Sequence, residues 1–277
     1  MKNRFRIVLF SVAVVISAVM PCGCGSGSDD DEGYETRVMV TDVTQAYLYY
    51  WLIFREAENA WALVHEAGYA AGETTRENGR SISYQLTEGG KGIVSVVFDG
   101  WRQHTAILSG TMTVDLPVDK DSYRQNGRVS ISLSKFSING QQVTGFATIT
   151  FSAAGEIDQY AYSLTEAAIY DSDDEQILIT CSMSGGRFQR IDGSATTASP
   201  EDDLWAFNGN MTGMLHNQSS LKYTNTVDNS HWLVYEWGCD RKAMNGYCRL
   251  TAAGRTADYR YGDACDSAIE VKTLTRQ

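Results

Sequence analysis

Chemistry near neutral pH needs imidazoles, thiols, paired carboxylates or a phosphate-cradling loop, and each has a spacing that can be sought. The four histidines, His65, His104, His216 and His231, are scattered. None falls in an H-E-x-x-H pattern, and "VHEAG" (64–68) holds a single His–Glu step without the second His of a zinc helix. There is no G-x-S-x-G nucleophile elbow and no Walker-type phosphate loop. Acidic clusters stand at "DSDDE" (171–175) and "PEDDLW" (200–205). Two carboxylates about 5–9 Å apart across a cleft would serve glycoside hydrolysis. Neighbours in one turn seldom meet that geometry, so both clusters read as solvated hairpin tips. Asp171, Asp173 and Glu175 lack the glycine and the final bidentate acid of a calcium loop. The sequence thus names no catalytic residue, no metal site and no cofactor.

The cysteines divide into two groups. Cys22 and Cys24 sit in "CGCGSGSDDDEG" (22–33), after a basic segment "MKNRFR" (1–6) and an unbroken apolar run at 7–20. That run is too short to cross a hydrocarbon core of about 30 Å, but it suits the apolar region of a signal peptide. Cys22 follows Pro21, whereas Cys24 follows the small residue Gly23. The stretch resembles a bacterial lipobox, with Pro21 where Leu is usual. The resemblance implies removal of residues 1–23 and lipidation of Cys24, an anchor whose acyl chains contribute about 0.8 kcal/mol per buried CH₂. Gly25 and Ser26, in place of an Asp after the modified cysteine, imply the outer membrane. "SDDDE" (28–32) is similar to an acidic tag that sends lipoproteins to the cell surface. Residues 24–38 then read as an acidic, flexible tether. A C-x-C pair alone offers too few ligands for a metal.

The chain carries 23 Lys+Arg against 34 Asp+Glu, a net charge of −11. Loss of the signal would remove Lys2, Arg4 and Arg6 and no acid. A surface this acidic, with no basic run, repels phosphate backbones and excludes nucleic acid as a partner. The acidity reads as solubility.

The elements follow from hydrophobic period. "AYLYYWLIFREAENAWALVHEA" (46–67) puts Ala46, Tyr50, Phe54, Ala57, Trp61 and Val64 on one face of a helix over about 42–67, with Asp42 and Gln45 as a capping pair. Its charged residues argue against a membrane span. From residue 80 the period becomes two. Candidate strands are 80–86, 92–99, 104–116, 128–138, 142–152, 159–170, 176–185, 187–194, 204–215, 220–227, 231–238, 247–253, 256–262 and 268–274. In "RVSISLSKFSI" (128–138) the phase flips near Ser134–Lys135, which predicts a β-bulge. Asn139-Gly140 marks a hairpin turn, and 170–176 and 252–257 read as two more. The expected fold is mainly β (α+β): an antiparallel meander forming a curved sheet or partly open barrel, packed on one N-terminal amphipathic helix. Residues 39–277 make one domain.

Cys181, Cys239, Cys248 and Cys265 remain as an even set in an oxidising compartment, which predicts up to two disulfides with the pairing open. Proximity in the meander allows Cys239–Cys248. The patterns at 127–152 and 235–271, with Asn139, Gly140 and Gly145, then Cys239, Gly262, Cys265 and Asp266, resemble a group of β-rich bacterial lipoproteins of no established activity. That resemblance implies fold and location, and favours Cys239–Cys265. The aromatics give the better functional lead. Trp205, Trp232, Trp237, Tyr235, Trp51 and Trp61 are candidate ligand-facing residues, and exposed tryptophans would stack on sugar rings. Three readings result. The first is a non-enzymatic envelope lipoprotein that binds a glycan, lipid or envelope protein and touches the membrane through its lipid. The second is an apolar-ligand or lipid carrier with a cavity between helix and sheet. The third is a secreted glycan-active hydrolase.

Overall fold

The computed structural model describes residues 29–65, 71–103, 105–116, 128–151, 159–171, 176–191, 204–216, 220–236, 242–265 and 267–274. One helix, α1 (Asp29–His65), precedes β1 (Thr74–Glu77), β2 (Arg80–Leu86), β3 (Gly92–Gln103), β4 (Ala106–Leu116) and β5 (Arg128–Ile138). Then come β6 (Gln141–Phe151), β7 (Gln159–Tyr170), β8 (Ile177–Ile191), β9 (Leu204–Leu215) and β10 (Leu221–Val227). The last strands are β11 (Leu233–Glu236), β12 (Gly246–Ala252), β13 (Arg255–Tyr261) and β14 (Glu270–Leu274). All pair antiparallel in one sheet that runs in chain order from β1 to β10 and then β12, β13 and β14, while β11 leaves the path to pair with β9. The path ends at β1 and β14 without closing.

The helix explains the sheet's curvature. Early on, α1 is one-sided: Thr36, Val40 and Val43 are buried while Arg37 and Thr41 are exposed. From Ala46 to Ala57 every residue is buried, including Arg55 and Glu56. A helix buried on all sides must be surrounded. It touches β3 and β4, β8 and β9, and β13 and β14, so the start, middle and end of the sheet all meet it. Among the described residues no helix is long and apolar enough to cross a membrane.

Two expectations about this segment are corrected. The tether expected at 24–38 is helical over its described part, Asp29 onward, because Thr36, Val40 and Val43 give this stretch a buried helical face; residues 24–28 lie outside the described residues. Asp42 is therefore inside α1 rather than at its cap. Gln45 donates to Gln141 Oε1 at 2.6 Å and to Tyr49 OH at 2.8 Å, which ties the helix to β6.

The buried charges of α1 form a chain. Glu56 lies 3.5 Å from Arg55 Nε and 3.2 Å from Arg80 Nη1, and Arg80 continues to Glu77 at 2.6 Å. Burial pushes the Glu56 carboxyl above its usual range, against the pull of Arg55 and Arg80. Arg55 sits 4.7 Å over Trp51, and Arg80 sits 4.5 Å over Trp101, each a cation on a π-face.

The strand expectations hold in outline. Asn139 and Gly140 both have positive φ (54° and 86°), the left-handed pair that a tight hairpin requires, as do Ala253 and Gly254 (51° and 73°). Lys135 has φ 49°, and the β5–β6 register breaks between Ser132 and Ser137, so the expected bulge is present. Opposite it, Gly110 lets the Lys135 carbonyl approach where a Cβ would collide. β1 was not foreseen: "TTRE" has no apolar residue and forms an exposed edge. The two strands expected at 176–185 and 187–194 are one strand, β8, bulged at Ser184–Arg187.

The disulfide expectation is corrected for two cysteines. Cys181 and Cys248 are buried free thiols. They sit on β8 and β12, with β9 and β10 between them. Three strand spacings of about 4.8 Å put them well beyond bridging distance. Burial pushes both thiols up to about 12. Cys265 is disulfide-bonded to a partner outside the described residues, where Cys239 also lies.

Candidate functional site

Among the described residues no group of three or more His, Cys, Asp or Glu is placed to hold a metal. The acidic clusters 172–175 and 200–203 lie outside the described residues. What the fold builds instead is a notch in the sheet at β9.

The sequence "FNGN" (207–210) runs through the middle of β9. β11 is in register with Leu204–Phe207, and β10 with Met211–Leu215. Asn208–Asn210 falls between the two. On the other side β8 bulges, pairing Ser184 with Asn210 and Arg187 with Asn208, so two β8 residues stand opposite Gly209. The sheet thus opens on both flanks of one tripeptide.

A carbonyl without a ladder partner must be paired elsewhere. Tyr47 of α1 donates to the Gly209 carbonyl at 2.8 Å, and Tyr162 of β7 donates to the Asn208 carbonyl at 3.1 Å. Tyr47 in turn accepts from Asn225 Nδ2 at 3.1 Å, and Tyr259 donates to Asn225 Oδ1 at 3.0 Å. Burial holds the Tyr47, Tyr162 and Tyr259 hydroxyls well above the ordinary phenol value, so they stay neutral donors. The Tyr162 ring stacks on Phe207 at 4.6 Å and packs against Phe54 at 4.9 Å. It lies where a Cβ on Gly186 or Gly209 would be, so both glycines are required by its presence.

Outside this floor lies a cavity of about 470 Å³ lined by Ser184, Arg187, Asn208, Gly209, Asn210, Asn229 and Trp232. The β10–β11 loop supplies its wall. Asp228 N–H donates to the Tyr247 carbonyl at 2.9 Å, and Tyr247 N–H donates to the His231 carbonyl at 3.1 Å, which pins the loop to β12. Asn208 Nδ2 donates to Asn229 Oδ1 at 3.1 Å, closing the wall onto β9. Trp232 Nε1 donates to the Asn229 carbonyl at 3.0 Å, which uses the indole's one donor and sets the ring's orientation. Asn210, Ser184 and Arg187 complete the polar lining. Mixed donors and acceptors beside a half-buried indole suit a polyhydroxylated ligand. The lining among the described residues is made of amides, a hydroxyl, a guanidinium and an indole, groups that can hold a ligand by hydrogen bonds and stacking.

Of the described residues singled out from sequence, only Trp232 lines this notch. Trp205, Tyr235 and Trp51 are corrected from ligand-facing to core: they are 3%, 0% and 2% exposed. Trp51 stacks on Tyr235 at 4.5 Å with the planes 11° apart, so the space beside the helix is filled by aromatic packing. The Trp61 side chain and the whole of Trp237 lie outside the described residues, as does Cys24. Asn208, Asn210, Asn229 and Arg187 were not found from sequence. Their signal was an Asn-Gly turn dipeptide inside a strand, where turn chemistry has no local reason to be.

Compared with known protein families, with curated proteins and with solved structures, the chain matches none.

Proposed function

We propose that this chain is an exported, lipid-anchored protein of the cell envelope that binds a saccharide in the notch at β8, β9 and the β10–β11 loop, without acting on it chemically. The observation that carries the reading is the lining itself: three asparagines, a serine and an arginine around an indole whose own donor is already used. Sugar hydroxyls both give and accept hydrogen bonds, and amides match that at both ends. The C–H face of a pyranose lies flat on an indole. The cavity volume falls in the range of small-molecule sites, about 300–1,000 Å³. The lipobox-like segment and the acidic tag support lipidation at Cys24 and an outer-membrane or surface location. The net negative charge fits a partner other than nucleic acid. A Cys239–Cys265 bridge would staple the last hairpins.

Two measurements test this. On a glycan array, Trp232→Ala weakens saccharide binding at least about tenfold, as expected for loss of a hot-spot aromatic. Its circular dichroism stays that of the wild type, because Trp232 is only half-buried. Saccharide binding that is unchanged in Trp232→Ala, or no saccharide binding by the wild type, removes the notch reading. Separately, Cys24→Ala moves the chain from the membrane fraction to the soluble one. If it stays membrane-bound, the anchor assignment is wrong.

A further inference from the structure

We infer that the notch selects a saccharide bearing a carboxylate, a uronic-acid-type sugar, and that Arg187 is the residue that reads the charge. The inference rests on the saccharide reading of the same site and names its ligand class. Some cations of this acidic chain have acidic partners: Arg80 is held by Glu56 and Glu77, and Arg249 binds Asp258 through two parallel hydrogen bonds at 2.7 and 2.9 Å. Arg187 makes no ion pair among the described residues, although it is exposed at the rim of a cavity. Its place is set by the β8 bulge, which puts it opposite Asn208 and among the lining amides.

The loop that walls the notch contains one acid, Asp228. That carboxylate is turned to its own loop: it accepts from Ser230 N–H at 2.8 Å and contacts His231 Nδ1 at 2.9 Å. It is not among the cavity's lining residues, so the cation at the rim is not neutralised from that side. A guanidinium presents its donors in a planar fork that matches a carboxylate with two parallel hydrogen bonds, and a neutral hydroxymethyl group can use only one. The uncharged part of the sugar would meet Trp232 and the asparagines, so ring recognition and charge recognition are separate.

The test uses the full chain and three probes: a glucuronic-acid disaccharide, the neutral glucose disaccharide of the same linkage, and a sulfated version. Isothermal titration of the wild type is expected to give on the order of tenfold tighter binding of the carboxylated sugar than of the neutral one. Arg187→Gln removes that preference, weakening the carboxylated sugar more than the neutral one, because the fork that pairs with the carboxylate is lost. Arg187→Lys keeps part of the preference and loses the advantage of carboxylate over sulfate, because a point charge has no fork. Equal wild-type binding of carboxylated and neutral sugars, or a preference that survives Arg187→Gln, overturns the charge assignment while leaving the saccharide site standing. A sulfated sugar bound tighter than the carboxylated one also overturns it. Failure of all three probes to bind overturns the site reading itself.

Discussion

Gly186→Ala is expected to destabilise the fold by about 3 kcal/mol or more, beyond the usual cost of a surface glycine. Gly186 does not have a left-handed φ, so alanine is permitted by its backbone, and the cost is collision alone. The added methyl would enter the Tyr162 ring. That ring cannot retreat, because Phe207 stacks on it at 4.6 Å, Phe54 packs at 4.9 Å, and its hydroxyl is tied to the Asn208 carbonyl at 3.1 Å. Thermal unfolding checks this, with Gly89→Ala as the control, since the nearest atom to a Cβ there is 4.0 Å away. The double variant Gly186→Ala, Tyr162→Leu should recover part of the loss, a coupling that only a direct clash produces. A Gly186→Ala chain that melts with the wild type would show that the bulge is loose, and the floor of the notch with it.

That contact shows which parts of the molecule were readable and which were not. The Asn139-Gly140 turn and the Lys135 bulge follow from neighbouring residues, because turn type and strand phase are local properties. α1 was legible as a helix, but its periodicity implied one buried face. The all-round burial of Tyr47 to Phe54 depends on strands from the start, middle and end of the sheet meeting the helix, and nothing within the helix states that. The same wrapping took Trp51, Trp205 and Tyr235 away from solvent. A tryptophan in a strand reads alike whether its face is covered or open. Trp232 differs in lying in the loop between β10 and β11 rather than in a strand.

The notch was illegible for a different reason. It joins residues 184–187, 208–210 and 229–232, three stretches that meet only because β11 displaces β10 from the start of β9. Strands expected at 176–185 and 187–194 put a break at Gly186. In the structure Gly186 gives room to Tyr162 and the strand continues. Local punctuation and local conflict look the same in one sequence. They separate only when the strand on the other side carries its own conflict at the paired position, as "NGN" does at 208–210.

Alkaline titration is expected to unfold the chain in one steep transition above about pH 10, with stability already declining from about pH 9. Cys181 and Cys248 hold their protons to about 12 in the folded chain against an ordinary 9.0, because burial disfavours the thiolate. For the same first cause, Tyr47, Tyr50, Tyr162, Tyr235, Tyr259 and Tyr261 stand well above their ordinary 10.0. All have raised folded values, so the stability they contribute is complete below the unfolded value and is lost as pH rises toward the folded one. In that window the unfolded chain has released protons that the native chain keeps. Each such group steepens the fall by about 1.4 kcal/mol per pH unit. With six phenols acting together above pH 10, an ordinary domain stability of about 5–15 kcal/mol is consumed within about two units. Tyrosinate absorbance of the buried set should therefore lag and then rise together with loss of circular dichroism. Labelling of the two thiols should follow the same curve, both being unreactive at neutral pH. The Cys181→Ala, Cys248→Ala variant should flatten the decline between pH 9 and 10 and leave the steep phase in place. A gradual phenol titration around pH 10 with secondary structure intact would mean that water reaches the tyrosines between α1 and the sheet, and that the helix is not enclosed as described.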